Sequence, residues 1–193
     1  MYRMQRISVV LGLILVAVQP ALATPVAIDA QHSTLTVAVY KQGLFAAFAD
    51  NHVIDAPIAS GSYDDTQKAI TLTVDATQMR VLDPKSPANR RADVQSNMDG
   101  PQVLDVNTYR TIEFRSTAVT GADAAHLTVS GNLTLHGQTH PITFTAVRAD
   151  ATHFSGSATV NQSAFGITPI RIAGGAVTVK DAVTVTFRIV LGA

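Results

Sequence analysis

Apolar residues recur at every second position along most of this chain. Leu35, Val37 and Val39 form one such series, and Ile70, Leu72 and Val74 another. The spacing returns in Ile112 and Phe114, Leu127 and Val129, Leu133 and Leu135, and Ile142 and Phe144. Phe154 and Ala158 keep the same parity, and Val183, Val185, Phe187 and Ile189 close the pattern. Thr, Ser, Arg and Asp fill most positions between. Successive side chains of a strand point to opposite faces, so the pattern predicts strands with one dry face and one wet face. Turn signals separate the runs, among them Lys41-Gln42-Gly43, Ser60-Gly61, Asp64-Asp65, Thr120-Gly121-Ala122-Asp123, His136-Gly137 and Gly174-Gly175.

The segment from Asp83-Pro84 to Asp105 breaks the alternation. Ala92, Val94, Gln95 and Met98 fit a short amphipathic helix that Gly100-Pro101 would stop, placed as a cap over one end of the sheet. About eight short strands of even spacing with one helical insertion suit an antiparallel barrel better than a sandwich. A barrel of that size either packs its interior with side chains or holds one small ligand. The inward positions carry aliphatic and aromatic groups with almost no charge. A guest should therefore be lipid-like, because a charged guest would need a buried counter-charge.

The first residues predict an address rather than part of the fold. Arg3 and Arg6 precede an apolar run from Ile7 to Val18, and Ala21-Leu22-Ala23 is a small-x-small cleavage signal. A membrane helix needs about 20 apolar residues, more than this run supplies. The expectation is a signal peptide at 1–23, cleaved after Ala23, followed by one domain at 24–193, exported to the periplasm, with no integral membrane segment in the mature chain. Removing Arg3 and Arg6 takes the formal charge from zero to −2, which argues against nucleic acid as a partner. The chain has no cysteine, so its stability must come from packing rather than disulfides.

Six histidines supply the candidate chemistry. His32 and Ser33 are neighbours, but consecutive strand side chains diverge, which counts against a direct Ser-His pair. The pair reads instead as backbone hydrogen bonding at a strand entrance. His136 and His140 have the His-x-x-x-His spacing that shares one face only on a helix, and Gly137, Thr139 and Pro141 make this segment a turn. His136 and Thr139 are expected to stabilise the hairpin, with no metal site there. His52 follows two phenylalanines and Asp50-Asn51. It suits a cavity rim where a polar tip would meet a ligand headgroup, the alternative being a solvated loop histidine.

Several motifs in order resemble those of the YceI family of polyisoprenoid-binding, lipocalin-like periplasmic proteins. They are Ile28-Asp29-x-x-His32-Ser33, Asn89-Arg90-Arg91, Tyr109 to Ser116, Leu133-Thr134-Leu135-His136-Gly137-x-Thr139-His140-Pro141-Ile142, and Asn161-x-Ser163-x-Phe165-Gly166-Ile167. The resemblance implies an all-β fold, an extended eight-stranded antiparallel lipocalin-like β-barrel with one short capping helix around a long apolar cavity. It implies a bound isoprenoid lipid, polyprenyl or quinone-type, as the partner, with no cofactor and no catalytic residue. Arg110 replaces a usual proline, and Gln95-Ser96-Asn97 replaces the usual helix segment, so the cavity mouth is where this chain departs. The expected lining is Phe45, Phe48, Leu72, Val74, Phe114, Leu133, Phe144, Phe165 and Phe187, with His52 as a candidate for the rim and Arg90 and Arg91 either at the rim or on a solvated helix face. Two other readings stay open: a histidine- or metal-dependent secreted hydrolase, and a ligand-free stress-related barrel filled solid. Oligomeric state is also open, a homodimer included.

Overall fold

The computed structural model describes residues 24–43, 51–121 and 123–192. The expected signal peptide, Phe45 and Phe48 lie outside the described residues. The strands are β1 (Val26–Ala27), β2 (Thr34–Val39), β3 (Lys41–Gln42), β4 (His52–Asp55), β5 (Ile58–Asp64), β6 (Ala69–Asp75) and β7 (Arg80–Val81). After the helix α1 (Ala88–Asp99) come β8 (Thr111–Gly121), β9 (His126–Leu135), β10 (Gln138–Arg148), β11 (His153–Asn161), β12 (Arg171–Ile172), β13 (Val177–Val179) and β14 (Ala182–Val190). The alternating series fall on these strands, with β-branched and aromatic side chains packing well on the pleated surface.

One curled antiparallel sheet carries the fold, in the order β1-β5-β6-β8-β9-β10-β11-β14-β2-β4-β7, with a three-stranded sheet β12-β13-β3 beside it. The main sheet therefore has eleven strands, not the expected eight, because short pieces are added at its edges. Only Ala56 and Pro57 separate β4 from β5. β4 pairs with β2, and β5 pairs with β6, so one bent run of chain joins the two flanks of the sheet. Ile28 bridges to Leu191, which brings the end of β1 against the end of β14.

Two turns follow from particular residues. β9 and β10 are joined by His136 (φ 50°) and Gly137 (φ 73°), both left-handed, as a two-residue hairpin turn requires. Ser60-Gly61, expected as a turn, instead lies within β5 beside a register shift between Ile58 and Ser60. There a Cβ on Gly61 would lie 2.6 Å from the Ile28 side chain, so the glycine marks a close approach rather than a bend.

α1 sits where the sequence places it, ending at Gly100. The Gln95 side chain accepts from Val81 N and donates to Met79 O, satisfying backbone groups of the edge strand β7. Met98 is buried with Ile54, Val74, Met79 and Leu104. The opposite end is packed by Ile28, Ile58, Tyr63 and Leu191, with the Tyr63 and Phe154 rings edge to face at 5.4 Å.

Candidate functional site

The inner faces of the strands enclose an apolar cavity of about 370 Å³, within the roughly 300–1,000 Å³ of ligand sites. Every alternating series named from the sequence contributes to its wall, from Leu35 on β2 to Ile189 on β14. Of the expected lining, Leu72, Val74, Phe114, Leu133, Phe144 and Phe187 border the cavity. Phe114, Phe144 and Phe187 form a run of tilted and edge-to-face rings, with successive centroids 5.5 Å apart.

Two glycines seat these rings. A Cβ on Gly131 would lie 2.5 Å from the Phe114 ring, and one on Gly156 would lie 2.6 Å from the Phe187 ring. A glycine inside a strand leaves space for such a close approach. Each of these two rings thus packs over a glycine of the neighbouring strand.

Phe165 is a correction. It is almost fully buried with Val160 and Val183, its ring meets the edge of His140 at 5.2 Å, and it does not border the cavity. Gly166, at φ 74°, ends the 3₁₀ turn Gln162–Phe165 and carries Phe165 out of the alternating register. Arg90 and Arg91 occupy the first turn of α1 and are likewise not among the lining side chains. Arg91 donates through Nη1 to Ser86 O. The face of α1 that reaches the cavity is Val94, Asn97 and Met98. Two of those fit the amphipathic pattern; the third is Asn97.

His52 does line the cavity. Its Nδ1 meets Oδ2 of Asp83 at 2.5 Å, and Oδ1 of the same carboxyl accepts from Val53 N at 2.9 Å. Asp83 is buried, and His52 is only partly exposed. Sequence reasoning missed Asp83, which lies 31 residues from His52. Asp83-Pro84 opens the segment that breaks the alternation, and nothing in its spacing points back to a strand. Apart from Tyr63, whose hydroxyl donates to Asp65 at the opposite end, the remaining polar side chains of the wall, Asn97, Gln162 and Thr168, come from the same end as His52. His52 pairs with Val39 at the last position of β2. Gln162 follows Asn161, which pairs with Ala182 at the first position of β14, and β14 runs antiparallel to β2.

The other histidines sit in turns. Nδ1 of His136 contacts Phe165 O at 3.2 Å and its ring packs on Tyr109 at 4.7 Å. Thr139 bonds Thr134 across the hairpin at 2.8 Å, so both residues brace the turn. Ser33 bonds the backbone of Val190. His32, by contrast, turns to the Asp29 carboxyl at 2.7 Å rather than to backbone. The same local pairing joins His126 to Asp123 and His153 to Asp150. In all three, Asp Oδ1 also accepts from the backbone N–H groups two and three residues on. These bonds hold the three carboxyls below the usual range: the histidine side chain is the largest cause at Asp29 and Asp123, and the Thr152 N–H at Asp150. Among the described residues no cluster of three or more His, Cys, Asp or Glu side chains could hold a metal ion.

A curled antiparallel sheet wrapped around a cavity with no charged lining residue among those described defines a lipocalin-like class of fold. The profile of the YceI-like domain matches residues 27–191, and the chain belongs to that family. A UPF0312 protein of Vibrio cholerae is 34% identical over 85 residues, 44% of this chain and 42% of the relative. The match thus spans less than half the length of that relative. The crystal structure of Burkholderia cenocepacia BcnA superposes with a TM-score of 0.61 at 21% identity, covering 84% of this chain and 98% of that one. A polyisoprenoid binding domain from Saccharophagus degradans, implicated in plant cell wall breakdown, superposes at 0.57 with 14% identity, covering 86% and 97%. At those identities the likeness speaks for the fold.

Proposed function

We propose that this chain is an exported periplasmic binding protein that sequesters or carries a long isoprenoid lipid, polyprenyl or quinone-type, and performs no chemistry on it. The observation that carries the proposal is the wall itself. Among the described residues, no Asp, Glu, Lys or Arg borders the cavity, and the aromatic rings lie along it. We read the curled sheet as a closed barrel: with β4 and β5 counted as one bent strand and the two-residue pieces β1 and β7 left out, eight strands surround that space. The lining residues Leu72, Val74, Phe114, Leu133, Phe144 and Phe187 bury the chain of the guest, and His52 stands by its polar end. The polyisoprenoid-binding neighbour and the family support this role.

Burying hydrocarbon contributes about 0.8 kcal/mol per CH₂, against about 4–15 kcal/mol lost on association. A chain of four or more isoprene units is therefore needed before binding is firm. No helix among the described residues is long and apolar enough to cross a membrane. Native mass spectrometry of protein purified from its own host, followed by organic extraction, tests the proposal. A copurifying isoprenoid on a chain beginning at Thr24 is expected. A bound metal without lipid would replace this function with a hydrolytic one, and neither ligand would leave a barrel that carries nothing.

A further inference from the structure

The His52–Asp83 pair stands at the end of the cavity where the polar side chains of Asn97 on α1 and of Gln162 also reach the wall. Val53 N–H fixes Oδ1 of Asp83 as an acceptor. Oδ2 meets Nδ1 of His52, and a carboxyl is a stronger acid than an imidazole. The proton of this contact therefore sits on Nδ1, which fixes the tautomer. In the neutral ring the other nitrogen, Nε2, then carries a lone pair, and no described residue bonds it. The ring belongs to the cavity wall, whereas the carboxyl behind it is 3% exposed and lies outside that wall. An acceptor nitrogen backed by a buried carboxylate favours an O–H group. It disfavours an anion, and no described cation on the wall offsets that.

We propose that the cavity selects isoprenoid lipids ending in an uncharged hydroxyl, a prenol or a hydroquinone, whose O–H donates to His52 Nε2, over phosphorylated chains and over headgroups that only accept. The inference rests on the lipid-carrying function above and names the ligand class of that same cavity. Asp83 is the positioning residue; His52 makes the contact.

The test uses the full mature chain, titrated calorimetrically at about pH 8, where an ordinary imidazole is neutral. Four probes share one C20 chain: the free alcohol (geranylgeraniol), its methyl ether, its monophosphate and the parent hydrocarbon. The alcohol should bind about tenfold more tightly than the ether, the equivalent of one net hydrogen bond, and the monophosphate should bind more weakly than either. Asp83→Asn keeps an acceptor for Val53 N–H but presents an amide N–H to Nδ1, which moves the imidazole proton to Nε2. The same exchange produces the wrong tautomer in a Ser-His-Asp triad. That variant should lose or reverse the alcohol-over-ether preference, because an ether oxygen accepts where a lone pair stood before. His52→Phe should bind alcohol, ether and hydrocarbon alike.

Equal affinity for alcohol and ether in the unaltered protein overturns the inference, as does a monophosphate that binds best. Either result, with all chains still bound, leaves the carrier function standing. Failure of every probe, hydrocarbon included, removes that function and this inference together.

Discussion

The two ends of the sheet use the same pair of residues to opposite effect. At the end packed by Ile28 and Leu191, aspartate and histidine pair three times, at Asp29 and His32, Asp123 and His126, and Asp150 and His153. The histidine side chains there are 72%, 67% and 55% exposed. At the end under α1 they pair once among the described residues, at Asp83 and His52, 3% and 22% exposed. The exposed pairs are three residues apart, and each forms within its own turn. The buried pair is 31 residues apart and forms only when β4 lies beside the segment entering α1. An exposed aspartate-histidine pair is a turn fastener that water screens. A buried one is an oriented polar group with an environment of its own.

Removing the buried partner should have the largest effect. Asp83→Ala leaves Val53 N–H without its partner and His52 without its anchor. A loss of about 2–4 kcal/mol is expected, two hydrogen bonds to a charged group less what water recovers, read as the shift in urea midpoint at unchanged slope. Asp29→Ala at the opposite end should shift the midpoint far less. Equal shifts would end the distinction between the two ends.

Next comes the wall they share. Gly131→Val puts a Cβ 2.5 Å from the Phe114 ring and from Arg115 O. Overpacking of that kind costs about 1–3 kcal/mol. It should also weaken uptake of a C20 hydrocarbon, because the Phe114 ring must move into the cavity. The equivalent change on the outer face, Thr145→Val, should spare both stability and uptake.

The same contrast explains what could be seen from the sequence. Strand parity is set by neighbours two residues apart, so each inward series from Leu35 to Ile189 was legible, as was the helix stopped by Gly100. The strand count was not, because β1 and β7 are two-residue pieces defined by partners far along the chain. Phe165 was misplaced because a 3₁₀ turn, unlike a strand, does not preserve alternation. His52 stood out as a polar residue after an apolar run, while Asp83 was invisible as its partner. The local pairs at the other end needed only an aspartate three residues before a histidine.

Acid should loosen the outer pairs in the direction their carboxyls set. The carboxyls of Asp29, Asp123 and Asp150 are held below their ordinary range in the folded state. Their contribution is thus complete above the unfolded carboxylate value, about 3.9, and is lost as pH falls through the lower folded values. Asp65 adds to this. Lys68, then Tyr63, bring it to about 2. The triple variant Asp29→Asn, Asp123→Asn, Asp150→Asn should lose less stability between about pH 5 and pH 2 than the unaltered protein. An unchanged slope would mean that these turns do not fasten the far end.

The smallest expected effect is the most discriminating. His32→Ala, His126→Ala and His153→Ala each delete an exposed ring whose aspartate keeps its bonds from two backbone N–H groups. Exposed pairs contribute little, so each variant should melt within error of the unaltered protein and bind every C20 probe as before. His52→Ala deletes the same side chain from the cavity wall. It should change the ranking of alcohol over ether while leaving affinity for the hydrocarbon nearly intact, since the wall around it stays apolar. A change in headgroup ranking from any of the three outer histidines would show that exposure, and not burial beside Asp83, is what makes a histidine count in this protein.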